Sequence, residues 1–321
     1  TKVSINSYVG IQETSRKLPV LNATEYAVLL NESYAVTGQE LPFPNISGLG
    51  RGTNWQNELF ETAPIYSNDI SVSGGSEKMT YSISASDLDQ QGIIGLEKSG
   101  YHRSTAKLSL GADLSDWIQL KTSLMFSNID RKSFNDFGLA SVLFNALNMP
   151  STVPVYDANG DFFLAPGNLG IEIINPLAQI ANTNNNYNLK KWNGNFSLDF
   201  QLLEQLKATT RIGFNTANSR SKSFSKIIDY GGKVFDVTRS TVFQDAQNFN
   251  DYTFDAFFTY SNTFNEAHNV TATLGATVFK TWGTQKIFLN ESSFFPVYQL
   301  RRIYIAVPIS AILSFSFCSQ K

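Results

Sequence analysis

Apolar and polar residues alternate one by one along much of this chain, the pattern of strands whose successive side chains point to opposite faces. Val3, Ile5, Val9 and Ile11 interleave with Lys2, Ser4, Asn6, Tyr8, Gly10 and Gln12, which predicts a strand from Lys2 to Gln12. Ile70 and Val72 alternate with Asp69, Ser71 and Ser73. Gly74-Gly75-Ser76-Glu77 then reads as a tight turn, because glycines supply the φ > 0 positions such a hairpin needs. In the returning strand Met79, Tyr81, Ile83 and Ala85 point one way and Thr80, Ser82, Ser84 and Ser86 the other. One face is apolar and the other almost wholly hydroxyl. The same two-faced pattern recurs over 101–114, 118–127, 195–202, 206–215, 252–261 and 270–278, with tight turns at Ser115-Asp116, Glu204-Gln205 and Asn265-Glu266.

Between these strands the pattern breaks. NATEYAVLLNE opens with Asn22 and places Glu25 three residues later, the capping-box arrangement that satisfies free backbone donors at a helix start. TNWQNELF predicts a second short helix capped by Thr53 or Asn54. The stretch from Ile129 to about Asn186 holds Pro150, Pro154, Pro166, Pro176 and the turn Asp157 to Asp161, and is read as irregular. Another long polar-aromatic loop is expected from about Asn218 to Asn250. Connections therefore alternate strictly between long and tight, and several strands hold their alternation for roughly ten residues. That asymmetry predicts an all-β fold, a portion of a large antiparallel transmembrane β-barrel with short helices in its first extracellular loop. A soluble β-sandwich with long strands is the competing reading. About nine strands are countable, against the even numbers of bacterial single-chain barrels, so the barrel is expected to be partial.

Composition sharpens this. Charged residues are only 16% of the 321 and aromatics reach 13%, while no apolar run approaches the ~18 residues of a membrane helix. A formal net charge of −2 with scattered Lys and Arg leaves no nucleic-acid footprint. The single Cys318 excludes an intrachain disulfide and a cysteine metal cluster. Thr1 to Gly10 does not read as a signal peptide.

The run NWQNELFETAPIYSNDISVSGGSEKMTYSISASDLDQQGII, Asn54 to Ile94, resembles the SusC/RagA family of TonB-linked outer-membrane transporters of Bacteroidetes in the order and spacing of its motifs. It follows the family's W-Q-x-E-[IL]-F helix, its S-G-G-S-E-K segment and its D-Q-x-G-I ending. NATEYAVLLNE and YHRSTAKLSL at Tyr101 to Leu110 fit as well, with Lys107 where the family carries arginine. The resemblance implies that the chain is the N-terminal portion of a barrel of ~22 strands with a plugged lumen. It further implies outer-membrane localisation, surrounding outer-membrane lipid, a SusD-like surface lipoprotein as lid, TonB acting through an N-terminal plug region, and a glycan or oligopeptide as substrate. Plug, TonB box and C-terminal strands are absent from this chain, so residues 1–300 are expected to be barrel wall that does not transport alone. Residues 301–321, apolar without a usable period and interrupted by Pro308, read as a divergent tail from truncation or frameshift, with an amphipathic strand as alternative. A non-transporting, glycan-binding or adhesin-like surface β protein is the alternative function.

No residue set points to an enzyme, a metal or a cofactor. Asp87 and Asp89 share a face but read as solvated carboxylates near a rim, and His102 and His268 lack metal-ligand spacing. Phe134, Phe137, Tyr156, Phe162 and Phe163 are the candidate ligand or lid contacts, since aromatic faces in an extracellular loop can stack on sugars or pack against a lid. The alternative is that they form the loop's own small core. Trp55 is expected to pack its helix onto the rim, and Trp117 and Trp192 to sit in interface belts.

Overall fold

The computed structural model describes residues 1–95, 97–134, 138–167, 171–264, 268–291, 300–306 and 309–319. In chain order these form β1 (Lys2–Gln12), α1 (Ala23–Val36), α2 (Trp55–Leu59), β2 (Ala63–Ser76), β3 (Met79–Gln91), β4 (Gly100–Ser115), β5 (Ile118–Lys132), α3 (Val142–Asn148), α4 (Pro176–Asn182), β6 (Asn184–Leu203), β7 (Leu206–Ser225), β8 (Thr241–Phe264), β9 (His268–Glu291), β10 (Leu300–Ala306) and β11 (Ile309–Ser319). Every neighbouring pair is antiparallel, in the order β1 to β10, and β11 also pairs with β9. β10 lies against 281–287 and β11 against 268–278, so the two run end to end along one side of β9. Among the described residues β1 pairs with β2 alone, and the sheet is open.

The register carries the alternation across the whole wall. Ile5, Ile70, Ala85, Ala106, Phe126 and Trp192 form one cross-strand row, and Ser82, Ser109, Ser123 and Asn195 a row on the opposite face. Large apolar side chains stand in the open on the first face: Ile5 is 69% exposed, Ile83 53% and Leu274 59%. Such a surface is unfavourable in water and fits a hydrocarbon surround, where the antiparallel ladder also satisfies the backbone. Phe196 and Phe200 share this face with Trp192, and the span from Trp192 to Phe200 is ~27 Å along the strand at ~3.4 Å per residue, close to the reach of a tilted membrane strand. Its ends are marked by aromatic pairs, Trp117 with Phe200 at 6.1 Å and Phe126 with Trp192 at 4.6 Å between ring centroids.

Three expectations are corrected. The first hairpin turns at Glu77 and Lys78, while Gly74 and Gly75 lie inside β2 without left-handed φ. They are needed for close approach: a Cβ at Gly74 would stand 2.6 Å from the Tyr81 hydroxyl and one at Gly75 2.5 Å from the Met79 carbonyl. The stretch read as irregular contains α3 and α4, each started by a side-chain cap, Ser141 and Asn175, with Pro176 in the first turn where its missing N–H costs nothing. Finally, β6 to β9 run well past their apolar bands, so that the loop expected over 218–250 shrinks to 226–240. The turn expected at Asn265-Glu266 and Pro308 lie outside the described residues.

α1 starts as expected, Asn22 accepting from the Glu25 amide while the Glu25 carboxylate accepts from the Asn22 amide. The buried core sits in the long connections. Trp55, Leu59, Val142, Ala146, Met149, Val153, Ala165, Ile173 and Ile180 pack together, and Ile174, Ala178 and Tyr230 form a second cluster with Phe162, Ile228 and Phe235.

Candidate functional site in the long loops

Polar side chains knit the loops at the long-connection rim. The Trp55 indole donates to the Pro150 carbonyl at 3.0 Å, so this tryptophan anchors α2 to the third loop, 133–183, where the rim was expected. Gln56, buried, donates to the Leu18 carbonyl and accepts from the Leu18 amide, acting as one more strand rung between two loop segments. Asn145, wholly buried, donates to Gln179 Oε1 at 2.8 Å and accepts from the Ile174 amide. Asn175 caps α4 with its Oδ1 and gives its Nδ2 to the carbonyls of Val155 and Phe163. These bonds satisfy groups whose burial would otherwise be costly, and they hold the loops as one small packed body.

The candidate aromatics divide within it. Phe134 packs against the Trp55 cluster, and Phe137 lies outside the described residues. Tyr156, Phe162 and Phe163 come together on a hairpin over 155–163, pinned by Asp157, whose Oδ1 accepts from the amides of Asn159 and Asp161. Tyr156 and Phe162 form a β-bridge and stack at 5.2 Å with 29° between planes. Phe162 also backs onto the second core, while Tyr156 (53% exposed) and Phe163 keep open faces. A rigid hairpin presenting aromatic surface can stack on a flat ligand or a protein lid. Sequence reading missed the exposed Leu164, Ile171 and Val234, isolated apolars in loops with no period to reveal them. In the same loops, burial pushes the Tyr230 phenol above its ordinary pKa, while the Gly231 and Gly232 amides hold the Asp229 carboxyl below the ordinary range.

The hydroxyl face carries its own chemistry. Asp199 lies 3.3 Å from Lys121 and 4.0 Å from Lys207 and accepts from Thr209. One row, Asn193, Asn215, Asp251 and Thr281, holds buried side-chain oxygens with no partner among the described residues. On the apolar face, just past its band, Asp87 Oδ2 receives Ser104 Oγ at 2.7 Å and faces His102 Nε2 at 2.9 Å. Register brings in this histidine, which lies 15 residues away in the chain. The hydroxyl meets the carboxylate directly and not the imidazole, so the trio is no nucleophilic relay. Among the described residues no group of three or more His, Cys, Asp or Glu could hold a metal.

Wall, turns and loops together define the class: part of the antiparallel wall of an outer-membrane β-barrel. No family model matches the chain. It is 28% identical over 87% of its length to TonB-dependent receptor P26 of Formosa agariphila, covering 27% of that protein, and 26% identical over 73% of its length to TonB-dependent receptor SusC of Bacteroides thetaiotaomicron, covering 24% of it. The structure of the RagAB peptide importer in its closed-closed state superposes with a TM-score of 0.79 at 18% identity, over 99% of this chain and 40% of that one. The chain is thus similar to a segment of SusC/RagA-like TonB-dependent receptors, and it spans about a quarter of the length of the curated relatives it matches. The relatives are named as receptors and importers, none as an enzyme.

Proposed function

We propose that this chain supplies barrel wall and outer loops to a TonB-dependent importer of a large nutrient, a glycan or an oligopeptide, working with a SusD-like surface lipoprotein. The observation that carries this reading is the pairing of an exposed apolar face with a polar lumen face on strands joined by short turns at one rim and by packed loops at the other. In this arrangement substrate is held between loops and lid, TonB acts through a plug inside the lumen, and the polar oxygens of the lumen row line the route. No bond of the substrate is broken. An open sheet encloses no lumen, so the segment needs the rest of its wall to transport.

Tyr156, Phe162 and Phe163 are proposed as the loop's contacts to ligand or lid. The test is uptake by cells carrying the full-length gene product, with and without TonB, on oligosaccharide and oligopeptide mixtures. Depletion of one class only in TonB-competent cells is expected. Surface binding that is indifferent to TonB would replace this reading with an adhesin.

A further inference from the structure

Past its aromatic edge the outward face changes character. Lys190 on β6, Arg220 and Lys222 on β7 and Lys286 on β9 share the facing of Trp192 and Trp282, and all are exposed. Arg220 and Lys286 fall in one register row, through Ala246 of β8. Among the described residues none of the four is ion-paired. The acids of these strands up to Leu289, namely Asp199, Asp245, Asp251 and Asp255, alternate onto the lumen face. Carboxylates on the outward face sit on β3 and β5: Asp87, engaged by His102 and Ser104, Asp130, engaged by Asn128 and Asn188, and Asp89, which stands opposite His102 in the ladder. A depression of 1290 Å³ lies here, lined by Arg220, Lys222 and Lys286 and also by acids, Asp89, Glu97, Asp130 and Asp245.

Position selects the partner. Counting from Trp192, Phe214 and Trp282 at ~3.4 Å per residue and ~40° tilt, the cations stand between ~5 and ~20 Å above the apolar band. Phospholipid phosphates occupy only the first several ångströms beyond the hydrocarbon, since both headgroup layers together add ~10–15 Å to the bilayer. A field reaching ~20 Å exceeds such a headgroup but suits phosphates borne on sugars, and the Asn side chains of the same face, Asn186, Asn188, Asn218 and Asn248, can hydrogen-bond sugar hydroxyls. We propose that the outward face of β6 to β9 binds a phosphate-bearing glycolipid of the outer leaflet. The inference rests on the membrane-barrel reading above. It adds a specific lipid contact continuous with the apolar wall, in which clustered Lys and Arg supply the attraction to phosphate.

The test uses the full-length gene product in detergent, with a phosphorylated lipid A-type glycolipid carrying core sugars as probe, titrated by native mass spectrometry. Wild type should bind it and lose affinity steeply with added salt. The K190Q/R220Q/K222Q/K286Q variant should bind at least tenfold more weakly. The same lipid with its phosphates removed should bind wild type equally poorly. A lumen-face control, K107Q/K191Q, should stay within twofold of wild type. Equal binding by the quadruple variant, by the dephosphorylated lipid, or an equal loss in the lumen control would overturn the proposal. If the quadruple variant does not fold, the salt series and the dephosphorylated lipid on wild type decide. Failure of the wild-type product to fractionate with outer membranes would instead sink the barrel reading.

Discussion

At the scale of single residues, the loop body depends on a few side chains that do two things at once. Trp55 fills the larger core and satisfies the Pro150 carbonyl. Replacing it with alanine should destabilise the loop body by about 3–5 kcal/mol, the usual cost of removing a buried tryptophan. Limited proteolysis should then cut within 133–183 while the strands stay protected. Cleavage no faster than in wild type would show that the loops do not hang on this anchor. Tyr230 makes a pH prediction. Its raised pKa means that the packed loop prefers the neutral phenol, so its contribution is intact below the unfolded value of about 10 and is lost as pH rises through the higher folded value. Hydrogen exchange over 226–240 should quicken above pH 10 in wild type and much less in Tyr230→Phe, and identical profiles would remove the phenol from the account. Trp55 in a capped short helix and Trp117 and Trp192 at strand ends were already separable in the sequence, and the folded loops add that Trp55, 2% exposed, is buried in the loop core.

At the scale of the strand, facing decides tolerance. Ile83 and Ser82 are neighbours with opposite surroundings, lipid and lumen. Ile83→Arg in the full-length product should cost about 2–4 kcal/mol, falling with distance from the bilayer middle, whereas Ser82→Arg should be accommodated among the lumen hydroxyls. Urea unfolding in lipid vesicles measures both, and equal costs would contradict the assignment of faces. The inner parts of the strands were legible for the reason that makes this prediction possible: a two-residue period has one physical meaning when one face must be apolar. The outer parts of β6 to β9 were not, because above the membrane both faces are wetted and the period disappears. Residues such as Asn186, Asn188, Asn218 and Asn248 then read as loop although the ladder continues through them. α3 and α4 were hidden by their prolines, which proved to be flanking or first-turn residues.

For the whole molecule, the separation of functions follows the membrane. Tight turns, apolar band, basic outer shelf and packed loops succeed one another along the strands, and each is a response to a different solvent. A closed barrel is the state in which every edge is paired, so the full-length product should run faster on a gel unheated than boiled, as barrels resistant to detergent do. A mobility indifferent to heating would argue against closure around this wall. The run from Asn54 to Ile94 forms α2 and a hairpin in which Gly74 lets Tyr81 cross over β2.

The sequence alone settled the succession of β1 to β9, their two faces, the short and long rims and the caps of α1 and α2, because each of these follows from local alternation and local hydrogen bonding. The tertiary structure alone decided which aromatics are core and which are offered, that Asp87 meets His102, and that cations from β6, β7 and β9 share one shelf. Those pairings depend on register between strands and on loops meeting across the rim, contacts that no single stretch of chain contains.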